Sequence, residues 1–238
     1  MSPSTDRSGS KEFATELKFL VEPQRALEIQ TWASERLEAD PHAGPDGRYL
    51  VTSLYFDTPA GDVYQRNGSY GRSKYRVRRY GQSDVVFVER KMKRKDRVGK
   101  TRSMVTTSEL PQLAGTGATR AWAGYWFHRR LRARGLEPVC QISYRRTALA
   151  LMTEQGPIRM TIDSDVRGLA IEGPEFQGAA GRDLLDKRII EIKFPREMPA
   201  MFQELCRRFL LTPQPMSKYR TAVAELGLVF NRELCSHS

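Results

Sequence analysis

Cysteine is scarce. The 238 residues hold three, Cys140, Cys206 and Cys235, an odd number, widely spaced and without a C-x-x-C pair. A disulfide scaffold and a zinc knuckle are therefore excluded as organising principles, and a reducing setting, the cytoplasm, is expected. No stretch approaches the roughly 20 apolar residues of a membrane helix, so no transmembrane segment is expected. The opening MSPSTDRSGSKE carries no apolar segment of the secretory kind. Histidine is equally rare: His42, His128 and His237 share no metal-ligand spacing, and no histidine chemistry is expected. Acid is nearly missing from one region. Between Arg66 and Arg102, 14 basic residues face only Asp84, Glu89 and Asp96, a surplus equal to the +11 of the whole chain. Charge gathered in this way expects a polyanion, whereas scattered charge would only solvate a surface.

What is present is globular: 39% apolar and 28% charged residues. Residues 1–12 read as a disordered tail and 231–238 as a C-terminal tail, with a single domain over 13–230. Strands are expected at 16–21 and 49–56, three more between 73 and 107, two at 138–151 and 157–163, and one at 189–194. Helices are expected from Pro23, over 118–134 and over 199–211, with a short one capped by Thr58 and opened by Pro59. The fold class is α+β.

Each strand has two unlike faces. Lys74, Arg76 and Arg78 alternate with Tyr75 and Val77; Glu89, Lys91 and Lys93 with Val88 and Met92. Arg159, Thr161 and Asp163 oppose Ile158, Met160 and Ile162, while Glu191 and Lys193 oppose Ile190, Ile192 and Phe194. An antiparallel sheet with one wet face also alternates. However, Lys74, Arg76 and Arg78 stand roughly 6.6 Å apart on one face with no acid among them, which favours an anion over them. The pair Glu-x-Lys also recurs at 16/18, 89/91 and 191/193. Turned inward, these faces make a closed antiparallel tunnel with a cationic lumen and helices outside.

The runs SLYFDT (53–58), RSKYRVR (72–78), VERK (88–91), YRRTA (144–148), RMTID (159–163), IEIK (190–193) and SKY (217–219) resemble the VTC domain. This is the polyphosphate polymerase branch of the CYTH-like triphosphate tunnel enzymes. The resemblance implies an eight-stranded closed tunnel and a phosphotransferase that moves the ATP γ-phosphoryl group onto inorganic polyphosphate with Mn²⁺ or Mg²⁺. It places Lys18, Arg76, Arg78, Lys91, Arg146, Arg159 and Lys218 at basic tunnel positions, Lys100 at a further one, and Glu191 at the metal. Lys74 and Lys193 share those faces and are taken as substrate-binding; Glu16, Glu89 and Asp163 are the remaining metal candidates. Where hydrolytic members read Glu-x-Glu-x-Lys, this chain reads Ala14-Thr15-Glu16-Leu17-Lys18, one acid fewer. Fewer acids suit a long polyanionic product.

The chemistry needs held phosphates, neutralised charge and exclusion of water rather than a protein nucleophile. Arg76, Arg78, Lys91, Arg146, Arg159, Glu191 and Lys218 are the expected catalytic set. Asp163 is read either as a ligand or as the salt-bridge partner of Arg159, Asp57 as a turn residue, and Tyr144 and Tyr219 as packing residues. The alternatives are a metal-dependent triphosphatase and a non-catalytic module binding polyphosphate or inositol phosphates. Nucleic acid is not expected as a partner, because the aromatics fall on apolar faces rather than being free to stack on bases.

Overall fold

The computed structural model describes residues 15–40, 43–44, 46–94 and 97–230. Both expected tails, His42, His237 and Ala14 lie outside the described residues, as do the side chains of 93–98, Lys93 among them. In chain order the elements are β1 (Thr15–Val21), α1 (Pro23–Ser34), β2 (Glu38–Ala39), β3 (Arg48–Asp57), α2 (Asp62–Gln65), β4 (Ser73–Tyr80), β5 (Val85–Arg94) and β6 (Arg97–Thr106). They continue with α3 (Tyr125–Ala133), β7 (Glu137–Thr153), β8 (Gly156–Ala170), β9 (Arg182–Asp183), β10 (Arg188–Phe194), α4 (Ala200–Arg208) and α5 (Lys218–Glu225).

All strands join one antiparallel sheet in the order β1-β10-β8-β7-β3-β4-β5-β6, with β2 on β7 and β9 on β8. The expected closed, eight-stranded tunnel is thus corrected to an open sheet of ten strands, two of them only two residues long. The reason for the opening lies at β1. Its outward carbonyl at Lys18 accepts from Gln214 N at 2.8 Å, so the segment before α5 occupies an edge that a closing strand would need. The sheet nevertheless curls through most of a turn. Six steps of about 4.8 Å would put β5 about 29 Å from β1 in a flat sheet. Instead Lys91 of β5 reaches Glu16 of β1 at 2.8 Å.

Period-two alternation then does what its chemistry requires. Most of the convex face is apolar and covered by helices. Phe19, Ile162, Ile190 and Ile192 pack with Ile29 and Trp32 of α1 and Phe202 and Leu205 of α4. On the other wall Tyr75, Val77 and Val88 pack with Phe127 and Leu131 of α3. The charged face is left concave.

Three helix boundaries differ from expectation. The helix over 118–134 shrinks to α3, which begins at Tyr125; just before it, a Cβ at Gly124 would sit 2.4 Å from the Trp122 ring. Thr58 and Pro59 form the turn before α2, which starts at Asp62; Thr58 Oγ1 still accepts from Asp62 N at 3.1 Å. The helix over 199–211 ends at Arg208 and is followed by Leu210 at φ +49°. No helix among the described residues is long and apolar enough to cross a membrane.

Candidate functional site

The concave face gathers the sequence-derived residues into three ionic groups. In the first, the register sets Glu16 opposite Lys193 and Lys18 opposite Glu191. Lys18 Nζ lies 3.0 Å from Glu16 and 3.5 Å from Glu191; Lys193 Nζ lies 3.4 and 2.8 Å from the same two. Lys91 adds its contact with Glu16 from across the cavity. Burial pushes the Glu16 carboxyl up and Glu191 pushes it further, but Lys91, Lys18 and Lys193 outweigh both and hold it at about 2. Glu191 is likewise held well below the usual carboxylate range: burial opposes ionisation, and Lys193, Lys18 and Lys91 overcome it.

In the second group, Glu89 is 1% exposed and receives Arg76 at 2.7 Å, Arg102 at 3.6 Å and Lys100 at 3.8 Å. Burial opposes its charge, yet Arg76, Arg78 and Lys100 bring it to about 2. In the third, Asp163 faces Arg146 directly in the β7–β8 register and accepts two hydrogen bonds from its guanidinium, at 2.6 and 2.8 Å. Lys218, the first residue of α5, donates to the same carboxylate.

Asp163 therefore does not pair with Arg159. The two are four residues apart along β8, about 13 Å of strand, beyond the reach of a salt bridge. Arg159 turns instead to Asp40 at 2.9 Å and the Tyr49 hydroxyl at 3.1 Å.

Lys74 and Arg78 differ from the rest: among the described residues, both meet neutral partners. Lys74 Nζ donates to Ser217 Oγ at 2.7 Å, and Arg78 donates to Ser53 Oγ at 3.2 Å and the Tyr144 hydroxyl at 3.1 Å. Burial, and then the charges of Lys18, Lys91 and Arg76, press the Lys74 ammonium down to about 7. Burial, only partly offset by Glu16, takes Lys91 down to about 8. Buried cations without acids are costly, and an anion is what removes the cost.

Several participants escaped sequence reading. Arg102 sits two residues beyond Lys100 on β6, a spacing that could have revealed it. Tyr144 is more than a packing residue: besides receiving Arg78, its ring lies 4.5 Å from Lys218 Nζ. Ser217 and Asp40 carried no signal, because their roles depend on distant partners. Asp57 is structural, as expected. It accepts from the backbone N–H groups of Thr58, Val63 and Tyr64 and from the Tyr219 hydroxyl at 2.6 Å. His128 is buried, with Nδ1 3.2 Å from Leu113 O, away from the concave face.

For a metal, the ionised neighbours Glu16 and Glu191 are the fitting donors: hard oxygens held together by two shared lysines. Among the described residues, no three His, Cys, Asp or Glu side chains come together as a metal cage. An ion here would complete its shell with phosphate oxygens, as Mg²⁺ commonly does.

A cavity of alternating cations and ionised acids inside a curled antiparallel sheet agrees with one family model, the VTC domain, which matches residues 13–227. The chain belongs to the VTC domain family. Two solved structures share its fold. A candidate adenylate cyclase from Bacillus halodurans is 18% identical, with TM-score 0.53 over 87% of this chain and 94% of that one. A candidate adenylyl cyclase from Hippeastrum, described as having a dominant triphosphatase activity, is 15% identical, with TM-score 0.50 over 91% of this chain and 97% of that one. At such identities the likeness concerns the fold. No curated protein matches the chain. In this VTC domain, Lys18, Lys91 and Lys193 of the expected site meet around Glu16 and Glu191; Arg159 turns to the Asp40 side.

Proposed function

We propose that the protein is a metal-dependent polyphosphate polymerase that transfers the γ-phosphoryl group of ATP to a growing polyphosphate chain on its concave face. The observation that carries this reading is that Lys74 and Arg78 hydrogen-bond to neutral side chains rather than to acids, amid three further groups of cations. Such a surface is incomplete without a multiply charged anion.

In this reading Arg76, Arg78 and Arg146 grip phosphate oxygens through their planar guanidinium forks, and Arg159 does so nearer Asp40. Lys18, Lys74, Lys91, Lys100, Lys193 and Lys218 act as mobile charges that follow the phosphates. Glu16 and Glu191 would hold Mn²⁺ or Mg²⁺, with Glu89 and Asp163 spoken for by their arginines. The bound metal would neutralise developing charge on the transferred group. The chain's own part is to align donor and acceptor, to match the charge of the equatorial oxygens and to limit water as a competing acceptor. No general base is needed, since a terminal phosphate is already anionic.

The deciding experiment incubates purified protein with ATP and Mn²⁺. The polymerase releases ADP and lengthens polyphosphate on a gel. Phosphate released without chains instead supports a triphosphatase, a reading favoured by the fold shared with the Hippeastrum protein. Retention of polyphosphate without any ADP leaves a binding module.

A further inference from the structure

Two arginine pairs of the sequence, Arg78-Arg79 and Arg145-Arg146, are split by the strand pleat. Arg78 and Arg146 face the concave side. Arg79 and Arg145 face the other, and the phosphate-handling site has no use for them.

On that side the register lays Arg79, Thr52, Ser143 and Arg167 in one row across β4, β3, β7 and β8. Arg145 joins it beside Leu50. Together they line a cavity of about 420 Å³, walled by the loop 177–180. That wall is fixed. Gln141 Nε2 donates to Gln177 O and Gln177 N donates back to Gln141 Oε1, both at 2.9 Å. At Gly181, φ is +67° and an added Cβ would lie 2.7 Å from Gly168 O, so the loop rests directly on β8.

The charges in this cavity are uneven. Arg167 is answered by Asp183 at 2.8 Å, and Asp165 by Arg188 at 3.4 Å. Among the described residues, Arg79 and Arg145 have no ion-pair partner. The Arg79 guanidinium carbon lies over Phe176, 4.3 Å from the ring centroid, and its Nε is buried without a hydrogen-bond partner. A buried donor left unmade calls for an acceptor.

We propose that this outer pocket is a second anion site that takes a diphosphate group, with Arg79 and Arg145 as its anchors. Two guanidinium forks match two phosphates bidentately, and the volume exceeds what one phosphate fills. The site lies on the opposite face of the sheet and does not depend on the polymerase reading.

The test is calorimetric titration with inorganic pyrophosphate. The wild-type protein is expected to bind two equivalents, one on each face. The double variant Arg79→Gln/Arg145→Gln loses one equivalent, or binds it at least tenfold more weakly, and Ala179→Glu, on the exposed loop, does the same without disturbing the sheet. Wild-type stoichiometry and affinity in both variants would overturn the proposal. If only the concave site is misread, wild type takes one equivalent and the variants take none. Replacing pyrophosphate with ADP separates the two sources: an equivalent that survives marks an esterified diphosphate, and one that vanishes marks the free anion.

Discussion

Lys74 Nζ on β4 lies 2.7 Å from Ser217 Oγ, the residue that caps α5. A lysine of the cavity wall is thus tied to the start of a helix by a neutral contact, and its proton is loosely held.

Proton uptake on binding follows. With Lys74 at about 7 and Lys91 at about 8, both are partly neutral at mildly alkaline pH. An anion favours the charged form, so tripolyphosphate binding at pH 7.5 should take up protons, and affinity should fall as pH rises beyond 7. Calorimetry in buffers of different ionisation enthalpy reads this directly. Lys74→Arg, always charged, should reduce the uptake. Without ligand the sign reverses in effect: the unfolded chain holds the Lys74 proton up to 10.5, so Lys74's contribution to stability rises with pH above about 7.

Glu191→Gln separates turnover from retention. Removing the charge weakens the proposed metal site and makes the cavity more cationic. ADP release and chain growth should fall together by about 100-fold, the scale of a lost preorganised electrostatic contact. Polyphosphate retention in a filter assay without metal should be unchanged or stronger. Undiminished polymer synthesis would move the metal to Glu89 or Asp163.

Arg76→Ala has a structural cost as well as a functional one. It leaves Glu89, 1% exposed, with only the longer contacts to Lys100 and Arg102. Urea unfolding should show a loss of about 3–5 kcal/mol. Adding Glu89→Gln should recover part of it while leaving polyphosphate binding weak.

Acid should strip the ionic groups in one window. Glu16, Glu89 and Asp163 each ionise near 2 in the folded protein, so their stabilisation is present above the ordinary carboxylate range and is lost as pH falls from about 5 to 2. A circular-dichroism titration checks this.

Tyr219→Phe removes one of the four hydrogen bonds that Asp57 accepts. A loss of about 1.5–3 kcal/mol is expected from urea unfolding. The anchoring of α5, and with it Lys218, should loosen.

Much of this was legible in the strands. Alternation at 74–78, 159–163 and 190–193 fixed which side chains share a face, because a pleat has only two sides. Seven ordered motifs pointed to the family that the match over 13–227 shows. What alternation could not tell was pairing across the fold. That Asp163 takes Arg146 rather than Arg159 depends on the β7–β8 register, which a bulge shifts near Tyr144. Nor could it tell that the sheet stays open, since the edge of β1 is claimed by a residue nearly two hundred positions away. The helix α5 escaped sequence reading because its eight residues, Lys218–Glu225, span about two turns, too few to show a period.

That the sheet is not closed by strand pairing at β1 has a mechanical meaning. Where a barrel is zipped shut by backbone bonds, a polymer must thread end first. Here Glu16 and Lys91 fasten the two walls with a charge contact, and charge is the one kind of fastening that a polyphosphate dissolves by being present. Under the proposed function, a polyphosphate would compete with Glu16 for Lys91 as it enters and so unbutton the wall it lies against, letting a long chain slip in or out along its flank.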